Sequence, residues 1–323
     1  MVRIQFCRLN RAQRNQLILD VLWVSAQRSI LTSEGHSMAG IGRLNNIIRA
    51  WEEGRPAFAS FANANPQTAI EFSTAPYDGL IFEMEHSPWD VVGLGDALQY
   101  LLNRKQIATS GSLAPAVTPM VRVPANGVEM TQSFAKQALD RGVYGVVFPH
   151  ITDAKQAYNA VAACRYARKA TADLYEPAGA RGDGPAAACR YWGLTQQEYY
   201  QKADVWPLNP QGELLVFIQM ESVRGMENLD DILKSVPGIG CVLIGEGDLS
   251  QALGYPRQYD HPEVRDAMDQ IVATCKKYGV PVGHPHVTSS NVERVSAEGY
   301  RFIMSAPVRT YEAIQKAREI TAK

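Results

Sequence analysis

Cysteine and histidine are scarce in this chain, and neither sign of charge is in excess. The five cysteines (Cys7, Cys164, Cys189, Cys241 and Cys275) are odd in number, widely spaced and never in a C-x-x-C pair. That spacing argues against a disulfide framework and a zinc-thiolate site, and it fits a reducing cytoplasm. Lys plus Arg total 32 against 33 for Asp plus Glu, with no basic block, so nucleic acid is not an expected partner. No apolar stretch approaches the ~20 residues needed to cross a bilayer, so no membrane partner is expected either. The segment 17–24 is short and interrupted by Asp20; Arg3, Arg8, Arg11 and Arg14 precede it and no small-residue cleavage site follows. No G-x-G-x-x-G follows the first apolar run, which removes the main support for a doubly wound dinucleotide-binding sheet.

What is present is length and rhythm. A chain of 323 residues, 46% hydrophobic, can bury a barrel-sized core. Residues 1–43 show no clear periodicity and read as an N-terminal extension of uncertain role, with the domain proper over 44–323. From there apolar runs at 57–62, 79–84, 118–123, 144–148, 214–219, 241–245, 280–283 and 302–305 alternate with amphipathic stretches such as Val264, Met268, Ile271, Val272 and Cys275. Continuous rather than alternating apolar strands imply a sheet covered on both faces. Eight such strands with intervening helices predict an α/β fold, the (β/α)8 TIM barrel. An insertion at about 171–209, rich in Gly, Ala, Pro and aromatic residues, interrupts the rhythm; Trp192, Tyr199 and Tyr200 are either packing residues or part of a cover over the pocket.

Polar side chains close most of these strands. Glu83, Glu85 and His86 follow the second, Arg122 the third, His150 the fourth, Gln219 and Glu221 the fifth, and Asp248 follows the sixth through Gly245 and Gly247. The carboxyl ends of parallel strands share one face, so these groups converge on one pocket. Glu221 and Asp248 are the pair suited to Mg2+ or Mn2+, although Asp248 is equally placed to cap the next helix. Gly247 lets backbone and ligand approach closely. Arg122 can grip a substrate carboxylate with paired hydrogen bonds or form an ion pair at the rim. Glu83 and Glu85 fall on one side of their strand, and a carboxylate beside His86 suits a general base. His150, His284 and His286 also fall at strand ends, where hydrogen bonding to substrate fits better than metal ligation.

Taken in order, Glu83-Met84-Glu85-His86, Val121-Arg122-Val123-Pro124, Leu139-Asp140-Arg141-Gly142, the segment 175–182, Gln219-Met220-Glu221, Ile244-Gly245-Glu246-Gly247-Asp248-Leu249-Ser250, Leu253-Gly254-Tyr255 and His261-Pro262 resemble the HpcH/HpaI family of class II, metal-dependent aldolases. The resemblance runs from about Leu44 to the C-terminus. It implies a barrel of the phosphoenolpyruvate/pyruvate-domain type and reversible aldol cleavage of a 4-hydroxy-2-oxo acid to pyruvate and an aldehyde. It implies Glu221 and Asp248 as ligands of a divalent ion (Mg2+, or Mn2+ or Co2+), and Arg122 and Gln219 on the keto acid. His86 is the implied catalytic histidine, with Glu83 standing where the family usually has Asp. A trimer of dimers exchanging the last helix is also implied. The family's usual Gly-Pro-Ala-Asp-Leu turn reads Gly245-Glu246-Gly247-Asp248-Leu249 here, and His284 and His286 replace apolar residues, which implies an altered aldehyde-side pocket where His150 and His284 contact substrate. Decarboxylation of a β-keto acid such as oxaloacetate, or a silent keto-acid-binding barrel, are the alternatives.

Overall fold

The computed structural model describes residues 41–307. Residues 1–40, which hold most of the expected extension, and residues 308–323, where an exchanged last helix would fall, lie outside the described residues.

A first helix, α1 (Asn46–Glu52), precedes β1 (Ala57–Ala62) and α2 (Pro66–Phe72). Then follow β2 (Gly79–Glu83), α3 (Val91–Leu101), α4 (Arg104–Ser110), β3 (Thr118–Arg122), a 3-10 turn (Gly127–Glu129), α5 (Ser133–Arg141), β4 (Gly145–Phe148) and α6 (Ala154–Cys164). Two short helices, α7 (Ala186–Trp192) and α8 (Gln196–Lys202), and a two-residue strand, β5 (Val205–Trp206), come before β6 (Leu214–Met220). The chain continues through α9 (Val223–Ser235), β7 (Cys241–Ile244), α10 (Glu246–Ala252), α11 (Pro262–Tyr278), β8 (Val282–His284), α12 (Val292–Glu298) and β9 (Phe302–Met304). Every pairing is parallel, and contact of β4 with β6 closes the ring. The eight staves are β1 to β4 and β6 to β9, at the places the apolar runs predict. The short β5 lies beside the first residues of β6 as an addition. The stave expected at 280–283 instead runs Val282–His284, because Pro281 has no N–H to give to the ladder.

Local chemistry sets the starts of the helices. Asn45, Asn65, Asp90, Asp153 and Ser222 each accept backbone N–H groups of the first turn they precede, satisfying donors a helix leaves open. Ser222 caps α9, which leaves the preceding Glu221 free for other work. At the N-terminal mouth of the barrel α1 acts as a plug. Its Ile47 and Trp51 pack against inward residues that include Met120, Phe217, Cys241 and Phe302. Trp51 lies over Phe217 and donates from Nε1 to the Arg301 carbonyl at 2.7 Å. Cys241 is a small core residue within this cluster.

The aromatic segment before β6 belongs to the same end. Trp192 stacks on Tyr144 at 4.2 Å and donates to the Gly142 carbonyl at 2.8 Å, both just ahead of β4. Tyr199 packs edge-on to Trp192 and bonds Arg181, which in turn reaches Asp140. Trp192 and Tyr199 are thus core, far along the strand direction from the carboxyl ends; Tyr200, on the outer face, bonds Asp183. Truncation Trp192→Ala empties a fully enclosed site and is expected to lower stability by ~3–5 kcal/mol, read as a drop in the denaturant midpoint; a change within experimental error contradicts this packing.

Candidate active site at the carboxyl ends of the strands

The strand register brings the polar residues together. Glu83 and Arg122 are direct partners between β2 and β3. The Arg122 guanidinium donates from Nε to Glu83 Oε2 at 2.7 Å and also contacts that oxygen through Nη2. Its Nη1 lies 3.0 Å from Glu85 and 3.2 Å from Gln219 Oε1, and the Phe61 ring backs it at 4.6 Å. The second oxygen of Glu83 accepts the backbone N–H groups of Glu85 and His86, at 2.8 and 3.0 Å, so this one carboxylate fixes both the arginine and the turn carrying the histidine.

Gln219 links the two halves of the site. Its carbonyl oxygen accepts from Arg122 while its amide donates to Glu221 Oε2 at 2.5 Å. The other Glu221 oxygen accepts the His150 backbone N–H and lies 3.5 Å from His150 Nδ1. His150 sits just past β4 with φ +53, a conformation costly for a residue with a Cβ, which turns its N–H and ring toward β6. Gly245 follows β7 directly beside Glu221, and a Cβ there would stand 2.4 Å from Glu221 Oε2. Only glycine fits that approach.

Asp248 lies in the first turn of α10, whose cap position is Gly245 with no side-chain bond, so the capping role is not the one it takes. One ligand atom each from His150, Glu221 and Asp248 lies within 4.8 Å of the other two. Among the described residues no lysine or arginine pairs with Glu221 or Asp248. Burial first, and then the neighbouring Asp248, push the Glu221 carboxyl up to about 7 against the hydrogen bonds from Gln219 and His150. Burial likewise raises Glu85, with Arg122 opposing and Glu221 adding to the rise. Carboxylates gathered around one partly buried guanidinium, the buried Glu221 among them, form a site that a dication would relieve.

The resulting cavity, about 220 Å3, is lined by Phe61, His86, Arg122, Gln219, Gly247 and Asp248, and beyond these by Glu246, Arg257, Tyr259 and His286. His86 is largely exposed, and its Nε2 lies 3.7 Å from Glu85 rather than against Glu83. His284 does not reach this cavity; it is buried between Glu246 and Tyr300. Phe61, Arg257 and Tyr259 carry no signal in the sequence that marks them as site residues. Phe61 is one more apolar strand residue, and the other two sit on a loop beyond α10.

The sequence profile described as HpcH/HpaI aldolase/citrate lyase matches residues 59–307. The chain belongs to the HpcH/HpaI aldolase/citrate lyase family. It is thereby homologous to the class II pyruvate aldolases, which are carbon-carbon lyases. It is 29% identical over 281 residues to the hydroxypyruvate/pyruvate aldolase of Paraburkholderia phytofirmans, covering 85% of this chain and 98% of that one. It is 32% identical over 232 residues to the 2-keto-3-deoxy-L-rhamnonate aldolase of Klebsiella pneumoniae, covering 72% and 74% respectively. A solved family member from Burkholderia cenocepacia superposes with a TM-score of 0.68 at 26% identity, over 86% of this chain and all (100%) of that one. Among the described residues no helix is long and apolar enough to cross a membrane.

The HpcH/HpaI frame makes Gly245 a sharp test of the site. Gly245→Ala is expected to push Glu221 off its place and cut activity by ~10²-fold, the cost of a misplacement of about 1 Å, with a melting temperature near the parent's. Full activity in that variant contradicts the packing of Glu221 against β7.

Proposed function

We propose that the protein catalyses reversible aldol cleavage of a 4-hydroxy-2-oxo acid to pyruvate and an aldehyde, aided by a divalent ion. The observation that carries this reading is the bridge Arg122–Gln219–Glu221, which sets a guanidinium side by side with a buried carboxylate that has no lysine or arginine partner among the described residues. The donor set suits a hard cation. Two carboxylates, Glu221 and Asp248, would hold Mg2+, Mn2+ or Co2+, with His150 close enough to complete or border the shell. Such an ion, when bound, supplies Lewis acidity toward the keto carbonyl.

The chain's own residues do the rest. Arg122, held by Glu83 and backed by Phe61, offers fixed positive charge to the keto-acid carboxylate and to the enolate that cleavage of the C3–C4 bond leaves. Gln219 keeps that guanidinium and Glu221 in register. Gly247 lets the substrate approach the backbone at the start of α10. His86, with Glu85 at 3.7 Å, takes the 4-hydroxyl proton and returns a proton to the enolate carbon, directly or through one water.

Pyruvate release from 4-hydroxy-2-oxo acids is expected to vanish after EDTA treatment and to return with Mg2+ or Mn2+; activity that survives complete metal removal defeats the mechanism. Arg122→Ala is expected to lose about 10²–10³-fold in kcat, the usual cost of removing a donor to developing negative charge, and a variant at full rate removes Arg122 from the mechanism.

A second reading draws on the exposure of His86, whose side chain is 67% accessible and only loosely tied to Glu85. Decarboxylation of a β-keto acid uses the same enolate stabilisation but needs no proton from a hydroxyl. His86→Ala separates the two: aldol cleavage is expected to fall far more than oxaloacetate decarboxylation, and equal losses favour a purely positional role for the ring.

A further inference from the structure

Beside the catalytic cavity lies a second recess of about 310 Å3, and Glu246, Tyr259 and His286 form walls of both. Glu246 is 2% exposed, an unusual place for a carboxylate; one imidazole bonds it there and a second lies close by. His286 Nδ1 lies 2.5 Å from one of its oxygens, and the buried His284 Nε2 lies 3.7 Å from the other. His284 Nδ1 also accepts the His286 backbone N–H at 3.3 Å, while Tyr259 lies parallel to the His286 ring at 6.0 Å. The ring of His286 is therefore fixed in position and orientation. Its Nε2 has no protein partner among the described residues, and the side chain stays 59% exposed where the two spaces meet.

The rest of the recess is polar. Asp260, Ser290, Asn291, Arg265 and Arg294 line it beside Met268. The arginines do not make it an anion site, because both are bound to one carboxylate, Glu298, at 2.5 Å from Arg265 and 2.9 Å from Arg294. The recess wall adds two carboxylates of its own, Glu246 and Asp260, to the two guanidiniums that Glu298 already occupies. Arg257, a cation with no acidic partner among the described residues, borders the catalytic cavity but not the recess. A carboxylate tail would be repelled by Asp260 and Glu246. A hydrocarbon tail would strip water from groups it cannot satisfy. Hydroxyl groups both donate and accept, so they can donate to the acids, pair with His286 Nε2 in either direction, and accept from the amide of Asn291.

We propose that this recess receives the distal part of the aldehyde fragment, that it selects an uncharged polyhydroxylated chain, and that His286 positioned by Glu246 is the residue that determines this specificity. The inference rests on the aldol reading above and adds the chemical class of the aldehyde.

Steady-state addition of pyruvate to four-carbon aldehydes of equal length tests it, with erythrose, butanal and succinic semialdehyde as the acceptors and acetaldehyde as a reference too short to reach the recess. The wild-type enzyme is expected to show kcat/KM for erythrose about tenfold or more above that for butanal and for succinic semialdehyde. In His286→Ala the ratio of kcat/KM for erythrose to that for acetaldehyde is expected to fall about tenfold, mostly through KM, as the loss of a hydrogen bond to a substrate hydroxyl predicts. Asp260→Ala, on the exposed loop across the recess, reads the same ratio should His286→Ala fail to fold. Preference of the wild type for butanal or succinic semialdehyde, or a ratio that moves in neither variant, overturns the inference while leaving the aldol reading intact. Failure to add pyruvate to any aldehyde, acetaldehyde included, overturns the aldol reading and this inference with it.

Discussion

Glu221 brings a carboxylate into a space closed by β4, β6 and β7, and no arginine or lysine among the described residues comes to meet it. Burial alone pushes such a group toward its neutral form, and Asp248 beside it adds to the pressure. The surroundings hold it in place nonetheless: an amide from Gln219, a backbone N–H from His150 and the missing Cβ of Gly245 all serve its two oxygens. Three separate staves thus converge on one acid that no arginine or lysine among the described residues contacts directly, with the Arg122 charge acting on it only from beyond Gln219. A dication between Glu221 and Asp248, as proposed above, would complete the compensation.

The barrel separates what holds it together from what it does. Its N-terminal mouth is filled by Trp51, Phe217 and Phe302, and flanked by the stack of Tyr144 on Trp192, where truncations are paid in stability. The opposite mouth collects Glu83, Glu85, Arg122, Gln219 and Glu221, polar groups bonded to one another at the end of the barrel. Arg122 is the hinge of that layer. It neutralises Glu83, approaches Glu85, and through Gln219 is tied to Glu221, so the guanidinium and the buried carboxylate share one hydrogen-bonded frame.

Much of this was legible in the sequence because parallel strands translate chain order into place. The eight apolar runs coincide with the eight staves, and the polar residues just past them, from Glu83 to Asp248, meet at one end. The two-residue β5 was not legible, since Val205-Trp206 is too short to show any period, and Pro281 shifted the seventh run. Side-chain direction was harder still. Alternation put Glu83 and Glu85 on one side of β2, but not that Glu83 would be spent on Arg122 and on backbone N–H groups, leaving Glu85 as the acid nearer the His86 ring. His284 ends its strand as expected, yet its ring turns into the protein against Glu246 and away from the catalytic cavity. Phe61, Arg257 and Tyr259 enter the site by contact alone, which no local pattern announces.

In the proposed reaction Glu221 and Asp248 together hold a divalent ion on which the keto acid depends. Calorimetric titration of the metal-free protein with Mn2+, alone and with oxalate as a stable stand-in for the pyruvate enolate, measures it most directly. One ion per chain is expected, with tighter binding when oxalate is present and loss of both effects in Glu221→Gln and in Asp248→Asn. Undiminished Mn2+ binding in those two variants, or no binding by the parent protein, contradicts it.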